Sequence, residues 1–224
     1  MNRNDCFLEV DFSQQWKHGQ DICGDTFYCY KTSKDGRVIV VLSDGLGSGV
    51  KANILASMTT RMAAQFAASD LDFLRSATII MDTLPVCQVR QISYSTFSIV
   101  DCRPDGETRV IEMDNPACLF LRRNMILSVP CTVMQSPRYP DRRMRVSHAT
   151  LEPGDRIVLL SDGILHSGLG TREYPLGWRE EDFRKFVTLR LESDPDISAR
   201  RLAEIIVREA LRKEPNSRAQ DDMT

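Results

Sequence analysis

Two stretches of this chain are nearly the same: Val38-Ile39-Val40-Val41-Leu42-Ser43-Asp44-Gly45-Leu46 and Arg156-Ile157-Val158-Leu159-Leu160-Ser161-Asp162-Gly163-Ile164. Each opens as a short aliphatic run of the kind found inside sheets, apolar on both faces. Each then passes into Ser-Asp-Gly, so each delivers one aspartate at the C-terminal end of a buried strand. Asp-Gly is also a common turn dipeptide, and a lone Ser-Asp-Gly reads as a turn. The duplication, together with Asp25 directly after Gly24 and the Asp221-Asp222 pair at 221–222, opens a second reading in which single carboxylates converge from neighbouring strands.

The surrounding pattern fixes the fold class. Thr26–Lys31 and Arg37–Ser43 flank the turn cluster Thr32-Ser33-Lys34-Asp35-Gly36, which predicts a hairpin. Phe7–Phe12 alternates as a half-buried strand does. From Val50 the period becomes helical, with Ile54, Leu55, Met58, Met62 and Phe66 on one face, expected to be core. A second helix is expected over 72–84, stopped by Pro85. A β-rich block follows over 91–102, 109–113, 117–122, 125–129 and 143–151, before the turn at 153–156 and the second aliphatic strand. The C-terminal third turns helical, with Asp194-Pro195 as the expected cap and first turn and Leu202, Ile205, Ile206, Ala210 and Leu211 on one face. Hairpin-linked strands with helices in two blocks predict an α+β layered fold, not an alternating βαβ sheet. No Gly/Ser linker divides the chain, so 1–224 reads as one domain.

Charge and cysteine usage narrow the function classes. With 29 Lys+Arg against 31 Asp+Glu the net charge is −2, and no basic stripe points to nucleic acid. The apolar runs fall far short of the ~20 residues of a membrane-spanning helix, and the first ten residues lack the apolar region of a secretion signal. A soluble, cytoplasmic protein is expected. The seven cysteines (Cys6, Cys23, Cys29, Cys87, Cys102, Cys118, Cys131) are scattered, with no C-x-x-C pair. That favours reduced thiols, most of them small core residues, over a disulfide framework or a zinc site.

A carboxylate cluster without His or Cys suits hard divalent ions, which take oxygen ligands and keep several waters. Gly45 has no Cβ, so its carbonyl could also approach a metal. Two such ions lower the pKa of a bound water and clamp the attacking and leaving oxygens of a phosphate ester. The segment Gly45–Lys51, GLGSGVK, offers a rival, since it follows a strand and opens a helix as a dinucleotide loop does. Its spacing fits neither G-x-G-x-x-G nor the Walker pattern, and Asp44 at its head would repel a bare phosphate.

Gly24–Phe27 (GDTF), VLSDGLGSGVKA, Asn115-Pro116-Ala117, LEPGDRIVLLSDGI and the terminal QDDMT, in that order, resemble the SpoIIE-like serine phosphatases of the metal-dependent protein phosphatase (PPM) family. The resemblance runs from about Gly19 to Thr224. It implies an αββα sandwich, two antiparallel sheets flanked by helices. It implies hydrolysis of phosphoserine or phosphothreonine on a protein by a metal-activated water, with an anti-sigma-factor antagonist as a substrate type. By the same resemblance Asp44 and Asp162 are the catalytic carboxylates. Asp44 would bridge two Mn²⁺ or Mg²⁺ ions with Gly45 offering its carbonyl, Asp162 and Asp221 would complete the second ion's shell, and Asp25 would hold metal-bound waters. Asp222 stands where relatives often carry Asn, which leaves the choice within the pair open. Family members continue past D-D-M-T into a final strand, so either the sequence is truncated or that strand is missing, and a catalytically weak binding module on the same fold is the alternative function.

The remaining candidates have plainer readings. His166, four residues after Asp162, is either a general acid or a polar loop residue. Arg138, Arg142, Arg143 and Arg145 form either a solvated loop or a surface for an acidic phosphoprotein. Trp16 and Trp178 are expected to pack.

Overall fold

The aliphatic runs and the alternation around them produce strands, and the strands sort into two sheets. The computed structural model describes residues 7–69, 73–83, 95–136 and 141–224. In chain order the elements are β1 (Thr26–Lys31), β2 (Val38–Ser43), α1 (Gly49–Ala68), α2 (Phe73–Thr83), β3 (Phe97–Cys102) and β4 (Glu107–Met113). There follow β5 (Leu119–Arg122), β6 (Met125–Ile126), β7 (Cys131–Gln135), β8 (Arg143–Thr150), β9 (Arg156–Val158), α3 (Asp162–Leu165), α4 (Glu180–Ser193) and α5 (Ala199–Lys213). One sheet runs β1-β2-β3-β4-β8-β7 and the other β6-β5-β9, with antiparallel pairing in both.

Three apolar clusters glue four layers. Ile39 and Val41 of β2, with Ile99, Ile111 and Val146, pack under α1 and α2. Val40, on the opposite face of the same strand, meets Val100, Val110 and Phe120 between the sheets. In β5 the alternation repeats: Phe120 faces the other sheet, while Leu119 and Leu121 pack against Phe183, Val187, Leu202 and Ile206 of α4 and α5. Each such side chain removed from water contributes about 1.5–3 kcal/mol, and a strand apolar on both faces is stable only when both are covered. The result is the expected αββα sandwich.

Several local expectations fail for identifiable reasons. The buried face of α1 is Gly49, Ala52, Ala56, Thr59, Thr60, Ala63, Ala64 and Ala67, while Ile54 and Met58 are exposed and Met62 and Phe66 only partly covered. Small residues let the helix sit close to the sheet, so backbone proximity outweighs side-chain size. Residues 7–12 form no strand; Phe12 stacks on Phe27 at 4.6 Å and Val10 packs on the inter-sheet cluster instead. Ser198, not Asp194, caps α5 by accepting from the Arg201 N–H (3.2 Å), and Asp194 ends α4. β7 carries no strong sequence signal, and α4 lies within the C-terminal third expected to be helical. Of the five described cysteines, Cys29 and Cys131 are exposed and only Cys23 and Cys102 buried; Cys6 and Cys87 lie outside the described residues. Trp178 packs edge-on against Phe183 and Phe186, whereas Trp16 is half exposed. Arg142 precedes β8 but is buried rather than solvated, and Arg145 lies within β8. Buried Arg142 donates to the Met81 carbonyl, and Arg145 of β8 pairs with Glu112 at 3.4 Å; Arg138 is outside the described residues. Among the described residues, no helix is long and apolar enough to cross a membrane.

Candidate metal centre

Each candidate aspartate sits where a segment leaves a sheet or a turn, and three of them, Asp25, Asp44 and Asp162, adjoin a glycine that lets another segment come close. Asp44 follows β2, Asp162 opens α3, Asp25 precedes β1, and Asp221 and Asp222 follow α5. A Cβ on Gly45 would stand 2.2 Å from the Ala52 carbonyl oxygen of α1. One on Gly163 would stand 2.0 Å from the Asp222 carbonyl oxygen, and one on Gly24 would stand 2.7 Å from Asp222 Oδ2. These glycines are needed for room. The serines before Asp44 and Asp162, both fully buried, are the complementary anchors. Ser43 Oγ binds Ser95 Oγ and the Thr96 carbonyl (2.6 Å). Ser161 receives the Thr224 N–H on its Oγ (2.9 Å) and donates its own N–H to the Thr224 carbonyl (3.0 Å). The chain end is held on its other side by reciprocal bonds between Gln15 and Met223, at 2.9 and 2.8 Å.

This clasp brings four carboxylates from distant segments into mutual range. Burial pushes the Asp44 carboxyl up to about 9, and the charges of Asp25, Asp162 and Asp221 push the same way; a hydrogen bond joins it to the Asp162 carboxyl. Burial likewise raises Asp25 to about 7, against the pull of hydrogen bonds from Ser161 and Thr224 and with the help of Asp222 and Asp162. Asp221 is raised by burial and then by Asp162. Asp162, with its side chain 44% exposed, is therefore the shared neighbour at the open side of the group. Asp222 is buried: its Oδ1 accepts the Lys17 N–H at 3.0 Å, and its charge acts on Asp25 and Asp221. His166 lies with Nδ1 3.6 Å from Asp162 Oδ2, half exposed.

Does this set fit a metal? Among the described residues no group of three or more His, Cys, Asp or Glu side chains is arranged to hold an ion, so no all-protein cage is present. A magnesium-type ion does not need one, because it keeps several waters and takes one or two carboxylates. The donors are all hard oxygens, they repel one another, and Asp25 Oδ1 is buried with no hydrogen-bond partner. A cation is the partner such a group lacks, and the residues fit.

The raised carboxylates have a pH consequence. The folded protein holds protons that the unfolded chain, with ordinary carboxylates, has released. The associated stability is present in full below about pH 4 and is lost as the pH climbs through about 7 and about 9. The metal-free protein is expected to melt roughly 5 °C lower at pH 9 than at pH 6, and Asp25→Asn should flatten part of that slope. A scanning-calorimetry series settles it; a melting temperature rising from pH 6 to 9 would contradict the assignment.

The fold is that of PP2C-type serine/threonine phosphatase domains. It superposes on the PP2C phosphatase domain of SpoIIE from Bacillus subtilis, solved with a fragment of its regulatory domain, with a TM-score of 0.73 at 17% identity, covering 94% of this chain and 59% of that one. A serine/threonine phosphatase from S. agalactiae gives 0.66 at 15% identity over 97% of both chains. The profile of the Stage II sporulation protein E (SpoIIE) family matches residues 34–224, and the chain belongs to this family. Stage II sporulation protein E of Bacillus subtilis (strain 168) is 21% identical over 210 residues, 93% of this chain and 24% of that protein, so the chain spans about a quarter of that relative's length.

Proposed function

We propose that the chain is a Mn²⁺- or Mg²⁺-dependent phosphoprotein phosphatase acting on phosphoserine or phosphothreonine, as a single cytoplasmic domain over 1–224. The observation that supports this is that the charges of Asp25, Asp162 and Asp221 all act on the buried Asp44 carboxyl. Divalent ions bound there would activate water and offset charge on the phosphoryl oxygens. In this reading Asp44 would hold both ions, Gly45 would offer its carbonyl, and Asp162 and Asp221 would be further ligands of the second ion. Asp25, whose Oδ1 has no hydrogen-bond partner, would hold metal-bound waters, and Asp222 would support the segment through the Lys17 N–H. A structure of RsbX in complex with magnesium shares the fold, with a TM-score of 0.59, which favours this metal class. Neighbours that carry RsbU and RsbW domains or belong to the stressosome point to a phosphorylated regulator, such as an anti-sigma-factor antagonist, as substrate.

Hydrolysis of a phosphoserine peptide with Mn²⁺ and with chelator tests the reading. Activity should need the metal and fall about a hundredfold or more in Asp162→Ala. Turnover indifferent to chelator would refute it.

A further inference from the structure

The pairing of β2 with β3 is regular up to Leu42 opposite Ser98, and an isolated bridge joins Gly45 to Ser95. Between them Asp44 faces Thr96, and there the ladder is rebuilt. A hydrogen-bonded antiparallel pair exchanges two backbone N–H···O bonds. Here only the Thr96 N–H reaches the Asp44 carbonyl, at 2.9 Å. The Asp44 N–H donates instead to Thr96 Oγ1 (3.3 Å), and the displaced Thr96 carbonyl accepts from Ser43 Oγ (2.6 Å) and Ser95 Oγ (3.3 Å). Ser95 Oγ also lies 2.9 Å from the Asp44 carbonyl.

Thr96 Oγ1 accepts from Asp44, so its own proton is free to go elsewhere, and it goes to Asn115 Oδ1. Asn115, buried in the loop after β4, is held in turn. Its Nδ2 donates to Ser98 Oγ (2.9 Å), and its carbonyl accepts from Arg145 Nη2 (2.7 Å). A hydroxyl is the group that can accept from one side and donate to the other at this point. The direction of the Asp44 Cα–Cβ bond is thus set by side chains rather than by the sheet.

We infer that Thr96 and Asn115 are positioning residues for Asp44, a hydroxyl–amide relay that aims the candidate bridging carboxylate into the cluster. This rests on the metal-dependent reading proposed above. It assigns a role to the Asn-Pro-Ala segment, which has no ionisable side chain of its own.

The test uses the full chain with Thr96→Val, Thr96→Ser and Asn115→Leu. Mn²⁺ affinity is read from the electron paramagnetic resonance signal of free Mn²⁺ during titration, and the metal-free melting temperature is read alongside. Thr96→Val and Asn115→Leu should weaken Mn²⁺ binding about 10- to 100-fold, as loss of an outer partner of a ligand does, while Thr96→Ser stays within about threefold of the parent. In the phosphopeptide assay at saturating Mn²⁺ the Thr96→Val variant should lose kcat with KM unchanged. Parental Mn²⁺ affinity in folded Thr96→Val, or a loss that serine does not restore, overturns the relay. If Thr96→Val does not fold, parental affinity in Asn115→Leu overturns it equally. A parent chain that binds no Mn²⁺ brings down the metal reading and the relay together, whereas tight parental binding with unaffected variants brings down the relay alone.

Discussion

Asp44→Asn is expected to lower Mn²⁺-dependent phosphopeptide hydrolysis about a thousandfold, the several kcal/mol of charge stabilisation that a well-held metal supplies, while making the metal-free protein more stable. The two effects have one cause. Asp44 lies among the Asp25, Asp162 and Asp221 carboxylates, and its own carboxyl is pushed up to about 9 by burial and by their charge. A carboxylate so raised favours folding less as the pH rises from about 4 towards 9, because the unfolded chain ionises it freely and the folded chain cannot. The amide removes that penalty, keeps the size of the side chain, and can still bond to Asp162. At pH 8 and without metal, a gain of about 2 kcal/mol, or roughly 4–8 °C in Tm, is expected for a chain of this length. Added Mn²⁺ should raise the parent's Tm by mass action and leave the variant's unchanged. Calorimetry with and without Mn²⁺ at pH 8 decides. An Asn variant that melts below the metal-free parent would mean that Asp44 is not held among like charges.

Gly163→Ala is expected to cost about 3 kcal/mol or more of stability and to abolish metal-dependent turnover together. The added methyl would stand 2.0 Å from the Asp222 carbonyl oxygen and 3.5 Å from Asp221 Cβ. The first obstacle is backbone, so relief requires moving the 221–224 segment, and overpacking against an atom that cannot rotate away lies at the upper end of the usual 1–3 kcal/mol. That segment carries Asp221, and it bonds to Ser161 on one side and to Gln15 on the other. Gly170 is the control: it has a φ of +80° but nothing within 4 Å, so alanine there meets backbone strain alone. Gly170→Ala should cost about 1 kcal/mol and keep turnover. Urea unfolding of the two variants beside an activity assay checks both; equal losses would show that space at Gly163 is not the limiting factor.

The hairpin of β1 and β2 was legible because a turn cluster ending in Asp-Gly separates two strand-forming runs. The layered α+β class was legible because β2 and the residues around β9 are apolar on both faces, while the αββα sandwich itself was implied by the family resemblance. The orientation of α1 was misread from its large residues: a helix that must lie close to a sheet turns its alanines inward, and Ile54 and Met58 face out. Residues 7–12 alternate like a strand yet pair with none among the described residues, since alternation reports a half-buried segment and not its partner.

The duplicated Ser-Asp-Gly segments, Gly24-Asp25 and Asp221-Asp222 were visible in the chain as candidates for one oxygen-donor cluster. What the sequence could not decide is which carboxylates face one another. Asp221 and Asp222 are adjacent and chemically identical, and only the fold turns the first towards Asp162 and Asp44 and ties the second to the Lys17 N–H. The Thr96–Asn115 relay was equally hidden, because it joins residues 19 apart whose hydroxyl and amide carry no pattern of their own. Local sequence sets which groups are present and which segments must be buried. Where two groups meet depends on the packing of distant backbones, which here rests on three missing Cβ atoms, at Gly24, Gly45 and Gly163.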